Sequence, residues 1–180
     1  AACGVQARTA SRVQALQADE NGVVLTLPDG TCERADWVLL GAGRVPHTAT
    51  LELAKAGIVT DQRGFISVDR RQRASQPHIY AVGDVANPAM TSNHALAEAA
   101  VAVANVIEPQ SGASDPDAVP EVVYSALELA RIGLDEERAE ALGYEPATGF
   151  TAFETNPAAL VEDDAAGFVR VVADADSGKL

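Results

Sequence analysis

The stretch "HIYAVGDVANPAM", residues 78–90, constrains the fold more than any other part of the chain. An apolar run climbs from Ile79 to Val82 and stops at Gly83-Asp84. From Thr91 the chain continues as "TSNHALAEAAVAVANVI", rich in alanine and valine as far as Ile107. The first run reads as a buried strand closed by a tight turn. The second reads as a long helix over about 91–107, apolar nearly all round and therefore expected to be buried. A strand whose C-terminal end feeds a glycine turn and then the N-terminus of a buried helix has the geometry of an α/β ligand site. Asp84 poses a problem in that setting, because an ionised carboxylate at the end of a buried strand is costly unless paired or hydrogen-bonded. It either caps the following segment or meets a ligand with hydroxyls or a metal to offer.

Upstream, residues 4–40 read as an antiparallel β-meander. "VVLTL" alternates, "PDG" is a strong turn signal, and "TCERADWVLL" resumes as strand into Gly41-Ala42-Gly43. That Gly-Ala-Gly is not a dinucleotide fingerprint, and a plain turn accounts for it. Between the meander and the central stretch, "TLELAKAG" reads as a short helix with Gly57 as C-cap. "DQRGF" reads as a turn and "ISVD" as a strand. Downstream, "EPQSGASDPDAVP" has the composition of a linker. "EVVYSALELARIGL" then reads as two short strands. "DEERAEALG" reads as an amphipathic helix, with Asp135 as N-cap and Gly143 at its end. The remaining residues read as further strands. These patterns give an α/β to α+β fold: a β-meander, a strand–turn–helix segment and a terminal α+β module.

Composition bounds the function. The chain has 180 residues, is 47% hydrophobic but only 4% aromatic, and carries a formal net charge of −13. It can bury a core built from Ala, Val and Leu. Its acidity argues against nucleic acid and anionic membrane surfaces as partners and is otherwise the charge of a soluble surface. Cys3 and Cys32 lie too far apart for a CxxC pair, and no zinc-type Cys/His spacing is present. Both cysteines are expected to behave as small apolar side chains in a reducing compartment. "ALAEAAVAVANVI" is interrupted by Glu98 and too short to span a bilayer. With no signal peptide at the start, the expectation is a cytoplasmic protein. The chain starts in strand-like alternation and ends in "VRVVADADSGKL", a strand, a turn and the first residues of another strand. It therefore reads as a piece of something longer.

Three stretches resemble one family. "VLLGAGRVPHT" resembles the V-L-x-A-x-G-R-x-P-N-T run of the flavin-dependent pyridine nucleotide–disulfide oxidoreductases, which include dihydrolipoamide dehydrogenase and glutathione reductase. "AGIVTDQRGFISVDRRQRASQPHIYAVGDV" is similar to A-G-I…D-x-R-G-x-I-x-V-D…T-S…P-x-I-Y-A-x-G-D-V. "VYSALELARIGLDEERAEALG" is similar to F/Y-T-x-P-E-x-A-x-V-G-x-x-E-x-x-A at the start of that family's dimerisation domain, with Leu127 in place of the proline. The resemblance implies that residues 1–43 close an NAD(P)-binding domain and that 44–110 form the second segment of an FAD-binding region. Residues 111–120 would then link to 121–180, the start of a dimerisation domain. It implies FAD and NAD(P) as cofactors of the parent enzyme, self-association, and a disulfide or other small electron acceptor. The Gly-rich fingerprints, the redox dithiol and the C-terminal His-Glu pair of the family are missing here. No catalytic residue and no metal ligand is therefore expected in this chain, and the isolated chain should be inactive. A non-catalytic self-association module is the alternative.

By the same resemblance, Asp84 accepts a hydrogen bond from a ribityl hydroxyl of FAD, and Gly83 lets the backbone pass close to the flavin chain. Met90, Thr91, Ser92 and Asn93 fall where a helix N-terminus faces the flavin ring, its partial positive charge suited to an electron-rich ring. Asn93 stands where many members carry His, and Ala99 replaces a glycine. Gly43 and Arg44 match the Gly-Arg that borders the nicotinamide. His47 stands at the asparagine position of the motif, His78 and His94 have no acidic or cysteine neighbours at ligand spacing, and all three read as structural.

Overall fold

The computed structural model describes residues 4–179, and the chain divides at the Gly43–Arg44 bond into two compact units. Cys3 lies outside the described residues.

The first unit is the predicted meander. Strands β1 (Ala15–Asp19), β2 (Gly22–Thr26) and β3 (Cys32–Ala35) pair antiparallel in the order β1-β2-β3. The register sets Leu16 opposite Leu25 and Val24 opposite Arg34. Asx-type hydrogen bonds close both turns, Asp19 accepting from the Asn21 amide and Asp29 from the Thr31 amide. Two expectations fail here. The strand does not continue through Trp37–Leu40, where Trp37 is 91% and Leu39 95% exposed; an apolar strand forms only against a paired neighbour. Cys32 is exposed rather than packed, because β3 is an edge strand.

The second unit begins with tight turns around a small core of Ile58, Ile66 and Ala81, against which Leu53, Val68, Ile79 and Val85 pack. Leu53–Ala56 is a 3-10 helix, and Gly57 closes it in the left-handed conformation expected of a C-cap (φ 67°). "ISVD" and "HIYAV" are not strands. Each contributes one isolated bridge, Thr60 with Ile66 and Arg73 with Tyr80. Asp61 and Asp69 hold these loops by accepting amide hydrogens from residues two and four further on. The local Asx geometry replaces a ladder that has no neighbouring strand to extend it.

A 3-10 turn, Gly83–Val85, leads to helix α1 (Ser92–Ile107), close to the predicted span and with Thr91 as N-cap. The expectation that α1 would be buried throughout is not met. Its buried line is His94, Glu98, Ala102 and Asn105, while Leu96 is 71% and Ile107 79% exposed. The helix thus packs a mainly polar line against its own unit. Residues 108–120 are anchored rather than loose: Asn105 Nδ2 donates to the Gly112 carbonyl (2.9 Å) and the Ser114 amide to the Arg70 carbonyl (2.6 Å). β4 (Glu121–Val123) and β5 (Leu129–Arg131) form the two predicted strands. α2 (Glu136–Ala141) is capped by the Asp135 side chain. β6 (Pro146–Ala152) pairs antiparallel with β7 (Phe168–Asp174), with α3 (Pro157–Val161) between them. β4–β5 and β6–β7 are two-stranded sheets, so each of these strands is an edge.

Candidate functional site

The Gly83–Val85 turn and the start of α1 bring most of the predicted site residues together, in an arrangement that resolves the carboxylate problem differently from the sequence reading. Asp84 is exposed, and its side chain hydrogen-bonds to nothing among the described residues. The buried acid is Glu98, 6% exposed, which accepts a hydrogen bond from the Gly83 amide (2.7 Å) and one from Asn87 Nδ2 (2.5 Å). Two donors answer its burial. The Gly83 carbonyl in turn accepts from the Ala86 and Asn87 amides, both at 2.8 Å. Asp84 therefore stands at the apex of a turn held on both sides, its oxygens open to an outside donor.

Gly83 is required by its surroundings. Its φ is +69°, where L side chains are strained, and a Cβ there would meet the Ala95 Cβ of α1 at 3.1 Å. Close helix packing is thus a reason for this glycine in its own right.

Met90 is buried and adopts φ 49° immediately before the cap. Thr91 Oγ1 accepts from the His94 amide (3.4 Å) and lies 2.8 Å from His94 Nδ1. His94 is accordingly a structural histidine at the helix cap. Ser92 is exposed in the first turn of α1. The Asn93 side chain, by contrast, is already engaged, donating from Nδ2 to the Pro120 carbonyl (3.0 Å). The helix N-terminus is thereby tied to the segment entering β4, where Glu121 pairs with Arg131 Nε at 2.6 Å. That hydrogen bond holds the Glu121 carboxyl below its ordinary range.

Among the described residues Arg44 pairs with no carboxylate. Its guanidinium donates to the Met90 carbonyl and, at 3.5 Å, to the Ala89 carbonyl. It braces the approach to α1. Gly43 has φ +106°, and nothing lies within 4 Å of where a Cβ would stand, so its requirement is conformational. His47 and His78 touch no ligand cluster, and no group of His, Cys, Asp and Glu fit to hold a metal occurs among the described residues.

Sequence reasoning missed Glu98 and Asn87. Glu98 was visible only as a break in an apolar helix. The signal that would have found it is its position four residues after His94, on one face of α1 with Ala102 and Asn105.

The fold and this turn–helix site define a class. Residues 1–104 match the pyridine nucleotide-disulphide oxidoreductase family, and residues 119–180 match the dimerisation domain of the same family. The chain belongs to that family. Among curated relatives it is similar to the dihydrolipoyl dehydrogenase of Haloferax volcanii, 38% identical over 89% of this chain and 34% of that protein. The crystal structure of LpdA from Mycobacterium tuberculosis shares the fold with a TM-score of 0.88 and 24% identity, over 97% of this chain and 38% of that one. The HOCl-induced flavoprotein disulfide reductase RclA from Escherichia coli superposes with a TM-score of 0.77 and 27% identity, over 92% of this chain and 38% of RclA. The chain therefore spans little more than a third of the length of each of these proteins.

The residues fit a flavin in one respect that the structure displays directly. An open acceptor at Asp84 sits on a rigid turn beside the N-terminus of a long helix, whose first amides have no intrahelical partner. Thr91 and Asn93 fit less directly, their side chains being committed to the cap and to Pro120.

Proposed function

We propose that this chain is the flavin-contacting and interface-forming portion of an FAD-dependent NAD(P)H oxidoreductase of the dihydrolipoyl dehydrogenase kind. The observation that carries the reading is the Asp84 carboxylate, exposed and unpartnered among the described residues on a turn held by Glu98. Such a carboxylate accepts from a ribityl hydroxyl without a rearrangement of its own. Gly83 and Met90 shape the backbone on either side. Thr91 keeps α1 capped, and the first-turn amides around Ser92 and Asn93 offer partial positive charge. Gly43 and Arg44 belong to the nicotinamide border, where Arg44 acts by holding the 89–90 carbonyls in place.

FAD, when bound, supplies hydride acceptance from NAD(P)H and electron transfer to a disulfide or other small acceptor. The chain itself contributes binding and orientation, with no counterpart of the family's redox dithiol or His-Glu pair in its sequence, and by itself it is inactive. Residues 1–43 then close the NAD(P) domain, 44–110 complete the FAD region, 111–120 connect, and 121–180 begin the dimerisation domain. The protein works as a homodimer or larger in the cytoplasm, with neither nucleic acid nor membrane as partner. Among the described residues no helix is long and apolar enough to cross a membrane.

The test is Asp84→Ala in the flavoprotein carrying this sequence, with visible flavin absorbance read against protein concentration. Loss of one charged hydrogen bond, ~1.5–3 kcal/mol, should lower flavin affinity at least tenfold. A purified variant that keeps stoichiometric flavin and the parent affinity refutes the role of Asp84.

A further inference from the structure

The reading above gives Glu98 only the holding of the turn, although it is the buried acid of the site. Among the described residues no cationic side chain pairs with it, and its partners are the Gly83 amide and Asn87 Nδ2. A buried carboxylate with no countercharge persists only where donors are fixed around it. Both donors belong to the turn that carries Asp84. The Asn87 amide has its orientation set from the other side, because its Oδ1 accepts from the Ala89 amide at 2.9 Å. Glu98 therefore holds the start of the turn through Gly83 and its exit through Asn87, leaving Asp84 between the two. The hold continues outward, since the Ala89 and Met90 carbonyls are the ones Arg44 grips.

We propose that Glu98 is a positioning residue for flavin binding. Its carboxylate locks the 83–87 turn in the one conformation that presents Asp84 outward as an acceptor for a ligand hydroxyl. The inference rests on the flavin reading of Asp84. It also specifies why glutamate and not glutamine stands at this position. Glutamine has the same shape, but its NH2 would face either the Gly83 N–H or the Asn87 NH2, donor against donor. Asn87 cannot flip to relieve this without losing its bond from Ala89.

The test is a double-mutant cycle on flavin affinity in the flavin-loaded protein carrying this sequence. It compares the parent, Glu98→Gln, Asp84→Ala and the double variant, with amide exchange at Gly83 and Ala89 measured in the flavin-free 180-residue chain. Glu98→Gln should weaken flavin binding about tenfold in the parent, in line with one lost charged hydrogen bond. It should change affinity less than about twofold once Asp84 is alanine, because a residue that acts through Asp84 has nothing left to position. The Gly83 amide, or the Ala89 amide where Asn87 flips instead, should exchange about tenfold faster in Glu98→Gln, the same clash read without flavin. If Asp84→Ala weakens binding and Glu98→Gln does not, the positioning role is wrong while the flavin reading stands. Equal losses from Glu98→Gln in both backgrounds would show a general structural role and overturn the proposal. If Asp84→Ala changes nothing, the flavin reading fails and the inference falls with it. Should Glu98→Gln not fold, Asn87→Ala breaks the same lock from the exit side and enters the same cycle with the same expected outcomes.

Discussion

Replacing Gly83 with alanine perturbs the turn in two separable ways. The backbone there has φ +69°, and placing an L side chain in that left-handed region costs about 1–2 kcal/mol. The new methyl would also stand 3.1 Å from the Ala95 Cβ of α1, well inside the ~3.5–4.0 Å optimum for carbon pairs. Both atoms sit on backbone held by hydrogen bonds, so relief requires α1 or the turn to shift, at roughly 1 kcal/mol or more. The sum is about 2–3 kcal/mol. With a urea slope of ~1–3 kcal/mol per molar, the unfolding midpoint should fall by about 0.7–3 M. Gly133→Ala provides the control, since its φ is +83° and nothing lies within 4 Å of its Cβ position, leaving the backbone cost alone. Ala95→Gly provides the second control. In that background the crowding is gone, and the penalty of Gly83→Ala should shrink to the backbone cost. A Gly83→Ala penalty no larger than that of Gly133→Ala, or one unchanged by Ala95→Gly, would refute the claim that the helix demands this glycine.

Two further outcomes are expected. Asp19, hydrogen-bonded to Arg34 and to the Asn21 amide, should titrate at about 2 instead of its ordinary 3.8, so its contribution to stability is present above 3.8 and lost as pH falls through about 2; carboxyl NMR titration should show Arg34→Ala returning it toward 3.8, and an unmoved titration would disprove the pairing. Sedimentation at micromolar concentration in ordinary salt should show at least a dimer, because Leu96, Ile107, Tyr124, Leu127 and Phe150 are all more than half exposed and, among the described residues, β1 and β3 to β7 each leave one edge unpaired; a clean monomer that binds no apolar dye would contradict this.

The caps and turns were legible because their chemistry is local. Asp135, Gly57 and the turn at Asp61 bond backbone groups only a few residues away, so the residue type and its neighbours suffice. The meander was legible for the same reason, since a Pro-Asp-Gly turn between alternating runs sets its own register. The Gly83-Asp84 turn and its helix could also be located, together with Arg44 and residues 90–93. Burial was a different matter, because it depends on what packs against a segment. "HIYAV" and "ISVD" have strand composition but no neighbouring strand to pair with, so each makes a single bridge. Helix α1 is apolar over most of its surface, yet the line it buries is His94, Glu98, Ala102 and Asn105, because the 83–87 turn and the Gly112 strap offer polar groups to that side. The same contact exchanged the roles of two acids. Sequence marked Asp84 as the carboxylate needing a partner; packing buried Glu98 with donors of its own and left Asp84 facing outward, since only the approach of α1 to the Gly83 backbone decides which oxygen reaches which amide.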